Sequence, residues 1–211
     1  MKKPLYVVML VFLAMFMMVP VQAAPVVIDF VSGDGSATSS TGNVFTLIAH
    51  PLWGTTPGAS WVSAYSGTGY GGGVVLPNWT SGAPTMSFTQ TFVLPYGINS
   101  GSLTVGADDT AEVWLNSQLL KAGNFVPDNV CASGQVSCEQ SEIMTLLLNP
   151  YLAQGTNTLT MGVYQLWGDV SGATWSGTAS SVPEPSTYYT MGGALLGLGL
   201  VLAKLRRKQP S

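Results

Sequence analysis

Two stretches of alternating side chains flank a pair of aspartates in the sequence LTVGADDTAEVWL, residues 103–115. Apolar residues occupy every second position in 103–107 and again in 111–115. A period of two is typical of strands that bury one face. Aspartate favours turns, because its short side chain bonds to the local backbone. The segment therefore predicts two strands joined by a tight turn at Asp108-Asp109.

The same alternation recurs elsewhere in the central part of the chain. It is clearest over Met86–Leu94, where Gln90 interrupts the apolar face, and over residues 158–163. Further strands are predicted at Val26–Phe30, Asn43–Ala49, Ala173–Ala179 and, more weakly, at Trp61–Tyr65 and Gly73–Leu76. Glycine, serine, threonine and asparagine punctuate these runs, and no segment has a convincing amphipathic helical pattern. We therefore expect an all-β fold, a single jelly-roll or β-sandwich domain over residues 24–180.

The charge of the chain excludes several kinds of partner. Charged residues make up 8% of its 211 residues, against about 25% in an average soluble domain. Segment 24–183 contains nine acidic residues and a single base, Lys121. Such a domain cannot neutralise a row of phosphates, which excludes nucleic acid and disfavours other anionic polymers. His50 is the only histidine, which excludes a metal site built from several histidines.

The amino terminus has the pattern of a secretory signal peptide over residues 1–23. Lys2 and Lys3 precede an apolar run, and Val21-Gln22-Ala23 offers the small residues that signal peptidase reads. We expect cleavage after Ala23. The alternative is an uncleaved membrane anchor.

The carboxyl terminus has three parts over residues 181–208. A proline-containing motif lies at 183–187, an uncharged Gly/Leu-rich helix is expected over 188–203, and a basic cluster follows at 204–208. The apolar stretch is short against the roughly 20 residues that usually cross a bilayer, although long basic side chains at its end extend its reach. Basic residues stay on the cytoplasmic side. This transmembrane helix would hold the domain outside the inner membrane.

This tail resembles the PEP-CTERM sorting signal of Gram-negative bacteria. The matching elements are Val182-Pro183-Glu184-Pro185, the short Gly/Leu helix and the terminal basic cluster, in that order. The resemblance implies processing by a membrane-embedded exosortase near Pro183–Pro185. It also implies an inner-membrane intermediate, and then release to the cell surface or into the extracellular matrix. A plain carboxyl-terminal anchor with a proline linker is the alternative.

The central domain resembles galactose-binding-like jelly rolls over about 90 residues. Three blocks match. The first, at 88–95, is a strand followed by proline. The second, at 103–116, is a strand, an Asp-Asp turn, another strand and a second turn, and the third, at 151–159, is a leucine and a Gly-x-Asn motif followed by a strand. Ser117 stands where that family usually has glycine, and residues 24–85 are unmatched. The family includes carbohydrate-binding modules and purely structural domains, so the resemblance implies the fold and leaves the function open.

The aspartate pair and two tryptophans are the candidate ligand-binding residues. Asp108 and Asp109 offer the oxygen ligands that Ca²⁺ prefers, and the pair is similar to that of PA14-type lectin domains, in which adjacent aspartates hold a sugar-chelating calcium. The alternative is that both aspartates cap a turn. Trp114 and Trp167 are candidate platforms for a sugar ring, and the alternative for each is packing against its own fold.

Two further sets of residues bear on the fold. Cys131 and Cys138 are the only cysteines, and an even count in an exported protein predicts a disulfide. Four more aromatic residues in the loop-rich half would be able to line a cleft, although nothing in their spacing requires it: Trp53, Trp61, Tyr70 and Trp79.

These observations favour an exported, non-enzymatic protein of the cell surface or exopolysaccharide matrix that interacts with glycans or with other surface proteins. Two alternatives remain open. One is a purely structural matrix protein. The other is a secreted polysaccharide hydrolase, which requires a pair of carboxylates held together in a cleft, near tryptophan residues.

Overall fold

The computed structural model describes residues 24–128 and 131–183, together with the isolated residues 193, 197 and 198. Residues Pro25–Val182 form one compact unit. The predicted signal peptide, the basic cluster and almost all of the predicted membrane helix lie outside the described residues. Within the described part of the chain, no helix is long and apolar enough to cross a membrane.

The compact unit is a sandwich of two antiparallel sheets. The six-stranded sheet contains β1 (Val26–Val31), β3 (Phe45–Thr46), β4 (Val62–Ser63), β6 (Ile98–Asp108), β9 (Met144–Leu147) and β11 (Gly172–Val182). The five-stranded sheet contains β2 (Thr38–Ser39), β5 (Met86–Leu94), β7 (Thr110–Leu115), β8 (Gln118–Lys121) and β10 (Gly155–Tyr164). A single turn of 3₁₀-helix, Asn149–Tyr151, precedes β10. The predicted all-β sandwich is therefore confirmed.

The order of strands explains how the sequence blocks come together. In the six-stranded sheet the order is β3-β4-β11-β6-β9, and β1 also pairs with β11; in the five-stranded sheet it is β2-β5-β10-β7-β8. From β5 onward, nearly every connection takes the chain from one sheet to the other. Frequent crossing of this kind is a feature of jelly rolls. The strand over 103–107 and the strand over 111–115 consequently lie in different sheets.

The core lies between the two inner faces, as the period-two patterns predict. Phe88, Phe92 and Leu94 of β5 are buried, and Trp175 of β11 is the largest fully buried side chain. The ring of Phe30 stacks on Phe92 with centroids 4.4 Å apart. It also lies directly over Gly177, where an added Cβ would be 2.1 Å from the ring. Glycine is therefore required at position 177 by close packing.

The amino-terminal half contains less regular structure than the sequence predicts. Strand pairing within the predicted segment Asn43–Ala49 is limited to Phe45–Thr46, and Gly73–Leu76 contains no strand. Gly71 and Gly73 adopt φ values of +74° and +75°, which lie outside the strand region. Three strands were not predicted: β2, β8 and β9. Each is two to four residues long and lies at or next to a sheet edge, where few side chains need to be buried.

Gln90 is buried inside the sandwich and organises a polar contact across it. The indole Nε1 of Trp175 donates a hydrogen bond of 2.6 Å to Gln90 Oε1. The amide Nε2 of Gln90 donates to Ser36 Oγ and to Asp34 Oδ2, the latter over 3.4 Å. The break that Gln90 makes in the apolar pattern of β5 therefore supplies the acceptor that a buried indole needs.

Gln90→Leu tests this contact. We expect the variant to lose about 1–3 kcal/mol of unfolding free energy despite its more apolar side chain, because the Trp175 indole is left without an acceptor. Urea unfolding of both proteins measures the loss. In a Trp175→Phe background the same substitution should cost clearly less, since no donor remains there. An equal cost in both backgrounds would contradict the explanation.

Candidate functional site

Asp108 and Asp109 lie where the chain leaves one sheet and enters the other. Asp108 is the last residue of β6, and β7 begins at Thr110. Their side chains are 3% and 1% exposed. The tight turn predicted from the sequence is therefore a direct crossing between the two sheets, and it is buried.

Both carboxylates accept hydrogen bonds from neighbouring segments. Asp108 Oδ2 accepts from the indole Nε1 of Trp53 at 2.5 Å. Asp109 Oδ2 accepts from the backbone N–H groups of Leu166 and Trp167, the second at 2.8 Å. Asp108 therefore holds the 50–54 segment, and Asp109 holds the loop between β10 and β11. These hydrogen bonds give both aspartates a structural role, in line with the alternative that the pair caps a turn and binds no ligand.

Burial changes the protonation of both aspartates. Loss of hydration, and then the nearby charge of Asp109, raise the pKa of Asp108 well above its usual range. Burial also raises the pKa of Asp109, although the N–H groups of Trp167 and Leu166 oppose this effect because they stabilise its charged form. A proton is consequently retained more readily at this crossing than at an exposed carboxylate.

A small cavity, called here the end cavity, opens beside the two aspartates. Its volume is about 130 Å³, and it is lined by His50, Leu52, Asp108, Asp109, Trp167, Asp169 and Val170. Water occupies about 30 Å³ per molecule in the liquid, so the cavity has room for about four waters. Trp167 is 54% exposed and Leu52 is 53% exposed at this end of the sandwich. The end cavity thus brings together three of the four predicted ligand-binding residues.

The end cavity does not fit a calcium ion. Ca²⁺ takes six to eight oxygen ligands, several of them charged. One oxygen of Asp108 and one of Asp109 already accept hydrogen bonds, and burial favours their protonated forms. Among the residues in 24–128 and 131–183, no group of three or more His, Cys, Asp or Glu side chains is arranged to hold a metal ion. We therefore derive no role for calcium.

The same cavity bears on the hydrolase alternative. Three of the nine acids, Asp108, Asp109 and Asp169, line it beside Trp167, and convergence of acids near tryptophan is what that alternative expects. The space is much smaller than the roughly 300–1,000 Å³ of sites that enclose a ligand. Asp108 and Asp109 also have structural partners. The geometry therefore favours a structural role for the aspartate pair over catalysis on a sugar chain.

The disulfide belongs to a buried cluster that includes Trp53, the hydrogen-bond donor to Asp108. Cys131 and Cys138 are bonded, with Cα atoms 5.9 Å apart, as predicted. They form a small buried cluster with Trp53 and Trp61. Those two indoles stack with centroids 4.2 Å apart. The suggestion that Trp53 and Trp61 line an open cleft is therefore wrong, because both are packed into this second core.

Trp114 lies away from the end cavity, on the outer face of the five-stranded sheet. Its neighbours Val113 and Leu115 are fully buried, and Trp114 is half-buried, so its side chain is on the opposite face, as the alternation predicts. It lines an open groove of about 560 Å³ together with Asn116, Ser117, Thr158 and Thr160. We call this the sheet groove. Trp114, the fourth predicted ligand-binding residue, therefore lies in the sheet groove and not in the end cavity.

A two-residue turn forms one end of the sheet groove. Asn116 and Ser117 have φ values of +51° and +65°, and positive φ at both central residues is the signature of a type I′ hairpin turn. The side chain of Asn116 fixes the turn, because its Oδ1 accepts from Thr158 N and its Nδ2 donates to Tyr151 O, both at 2.9 Å. The turn that the sequence predicts therefore forms although serine stands at the usual glycine position.

The loop segment before β5 limits the groove at its other end. An added Cβ at Gly162 would lie 2.6 Å from Pro84 Cγ and 3.1 Å from Glu112 Oε1, so Pro84 covers the sheet there. Sequence reasoning found Trp114 and missed Thr158 and Thr160. The alternation in their strand predicts only that their side chains are on its outward face. The strand pairing that places Thr160 beside Trp114 is visible only in the tertiary structure.

Comparisons with known proteins cover the two parts of the chain separately. Residues 181–208 match the PEP-CTERM protein-sorting motif, which confirms the resemblance of the tail and indicates export and surface association through exosortase. The match begins within β11, at Ser181. No curated protein is significantly similar to the sequence.

Several solved structures align with the chain at low similarity. A family 35 carbohydrate-binding module from Clostridium thermocellum is 10% identical over 74% of this chain and 98% of that one, with a TM-score of 0.39. A family 35 module from Paenibacillus barcinonensis is 9% identical over 74% and 98%, with a TM-score of 0.35. A cyclase from Fischerella sp. TAU is 12% identical over 76% and 100%, with a TM-score of 0.35.

Asp108→Asn tests the energetics of the crossing. A folded-state pKa above the unfolded value means that the folded protein binds more protons, so this group's contribution to stability falls as pH rises above about 3.9. Asparagine keeps an acceptor for Trp53 and carries no charge. We expect the variant to be more stable than the parent at pH 8 and to lose that advantage at pH 4, in guanidinium unfolding. An advantage of the parent that grows with pH would contradict this.

Asp109→Ala tests the attachment of the β10–β11 loop. We expect a loss of about 2–4 kcal/mol, because the Leu166 and Trp167 amides lose their shared acceptor. Asp109→Asn, which keeps one acceptor oxygen, should lose less. Thermal unfolding measures the order, and limited proteolysis of the alanine variant should cut first within 165–171. Equal stability of the two variants would show that the hydrogen bonds do not hold the loop.

Proposed function

We propose that this chain is an exported protein of the cell surface or exopolysaccharide matrix, and that its sandwich binds neutral polysaccharide in the sheet groove without catalysing a reaction. One observation carries the proposal: a half-buried indole, Trp114, lies in an open groove whose other lining residues are asparagine, serine and threonine. An aromatic face supports the apolar face of a sugar ring, and neutral hydroxyl and amide groups are suited to hydrogen-bond its hydroxyls.

The size of the groove supports this assignment over the end cavity. The sheet groove has a volume of about 560 Å³, against about 130 Å³ for the end cavity. The groove is also open, which a polymer requires. The end cavity is better explained as the space left beside a structural aspartate pair.

The charge of the domain indicates which polysaccharides are suitable. Segment 24–183 carries nine acidic residues against Lys121 alone, and so it repels anionic chains at long range. None of the five residues that line the groove is charged. A neutral glycan loses no charge hydration on binding there, whereas an anionic one would be opposed by the whole domain.

The sorting motif supports the proposed location. Residues 181–208 match the PEP-CTERM protein-sorting motif, and export to the cell surface would bring the sandwich close to extracellular polysaccharide. Interaction with other surface proteins and a purely structural role in the matrix are the competing functions. A structural protein predicts no saturable glycan binding by the isolated domain.

Glycan binding by the folded domain tests the proposal. Residues 24–183 with the disulfide formed are titrated with the neutral fraction of the producing bacterium's exopolysaccharide and with a panel of neutral and anionic glycans. We expect saturable binding to neutral glycans. Trp114→Ala should weaken it about 30-fold or more, the loss of about 2 kcal/mol that is typical of a central aromatic contact. Trp167→Ala, the matched variant at the end cavity, should leave the affinity unchanged.

The remaining outcomes distinguish the alternatives. Absence of binding by a folded sample would overturn the proposal in favour of the structural role. Binding that depends on Trp167, or that is abolished by a chelator, would move the site to the end cavity and the aspartate pair. Release of reducing sugars that stops in Asp108→Asn or Asp109→Asn would establish the hydrolase instead.

A further inference from the structure

The strand register aligns residues of the sheet groove with one outward residue on each of the other strands of the five-stranded sheet. Trp114 pairs with Leu119 of β8 on one side and with Thr160 of β10 on the other. Thr160 pairs with Thr89 of β5, and Thr89 pairs with Thr38 of β2. Directly paired residues of antiparallel strands share a face. One outward side chain from every strand thus forms a continuous line, called here the cross-strand row.

The row has the dimensions of an extended polymer site. Neighbouring strands are about 4.8 Å apart, so five strands span roughly 19 Å from Leu119 to Thr38. Both end members are exposed, and the row therefore reaches the two edges of the sheet. A second pair of outward threonines, Thr158 and Thr91, lies beside it. Pro84 covers Gly162 on the other side.

The hydroxyls of the row differ from those of the opposite sheet face. On the outer face of the six-stranded sheet, two pairs of hydroxyls bond to each other, Ser100 to Ser180 at 2.6 Å and Thr104 to Thr145 at 2.9 Å. Within residues 24–128 and 131–183, Thr89, Thr158 and Thr160 make no such bond among themselves. Thr38 Oγ1 donates only weakly to the carbonyl of Thr89, at 3.4 Å. The cross-strand row therefore presents hydroxyls that are available to a ligand.

From this arrangement we infer that the site takes an internal segment of a neutral polysaccharide chain, which lies across the strands with one sugar ring on Trp114 and the following sugars over Thr160, Thr89 and Thr38. The inference rests on the proposed function and adds to it the direction, the length and the kind of segment bound. The row carries no charge, so a neutral polyhydroxylated chain is its complement. A site open at both edges does not select a chain end.

The experiment uses the disulfide-bonded domain and a size ladder from the neutral polysaccharide that it binds, from disaccharide to hexasaccharide. Affinity should increase with length until the oligosaccharide covers the row, and it should not change when the reducing end is converted to an alditol. Thr89→Val, which keeps the side-chain volume and removes the hydroxyl, should weaken binding of the longest oligomer about 2- to 10-fold. It should leave disaccharide binding unchanged. Thr104→Val, the matched change on the other sheet, should have no effect on either.

Failure of the inference and failure of the proposed function give different results. Loss of binding in Trp114→Ala, combined with an affinity that does not depend on length or on Thr89, would overturn the cross-strand assignment and keep the groove. A preference for the native reducing end would also overturn it. A third result would be that the domain binds no glycan but associates with itself, and that Thr89→Arg abolishes this association. That result would assign this face to a second copy of the chain and overturn both the cross-strand assignment and the proposed function.

Discussion

The crossing at Asp108-Asp109 is the constraint on which the rest of the sandwich depends. No loop separates β6 from β7, and both carboxylates are buried at this crossing, where a charge is costly. The surrounding segments provide hydrogen-bond donors: the Trp53 indole and the amides of Leu166 and Trp167. Two long irregular stretches are thereby fixed to one end of the sandwich. The end cavity is a consequence of this arrangement.

Most polar contacts inside and outside the sandwich are made by neutral side chains. Inside, the neutral amide oxygen of Gln90 accepts the hydrogen bond of the Trp175 indole. Outside, both sheet faces are covered largely by serine and threonine, which are compatible with strands and with water. This surface offers hydrogen-bonding groups and an aromatic face, and the net negative charge of the domain disfavours anionic polymers. Such a surface suits a matrix of neutral, hydrated polysaccharide.

The two ends of the domain are joined within the fold. Val26 at the start of β1 pairs with Ser181 near the end of β11, and Ser181 is fully buried, with its hydroxyl bonded to the backbone of Tyr96. The first two residues of the matched sorting motif therefore also belong to a strand of the six-stranded sheet. Removal of the tail after Val182 leaves every strand of the sandwich intact.

The sequence by itself determined the class of fold, the disulfide and the sorting signal. Period-two alternation over 86–94, 103–115 and 158–163 is enforced locally by burial of one strand face, and an even cysteine count and a three-part tail are readable without coordinates. Only the tertiary structure decided which residues meet. It placed Trp167 beside the aspartates and Trp114 on another surface, and it made Trp53 and Trp61 core residues. Register and the closure of long loops depend on contacts between residues far apart in the chain, and alternation within one strand does not encode which strand lies next to it.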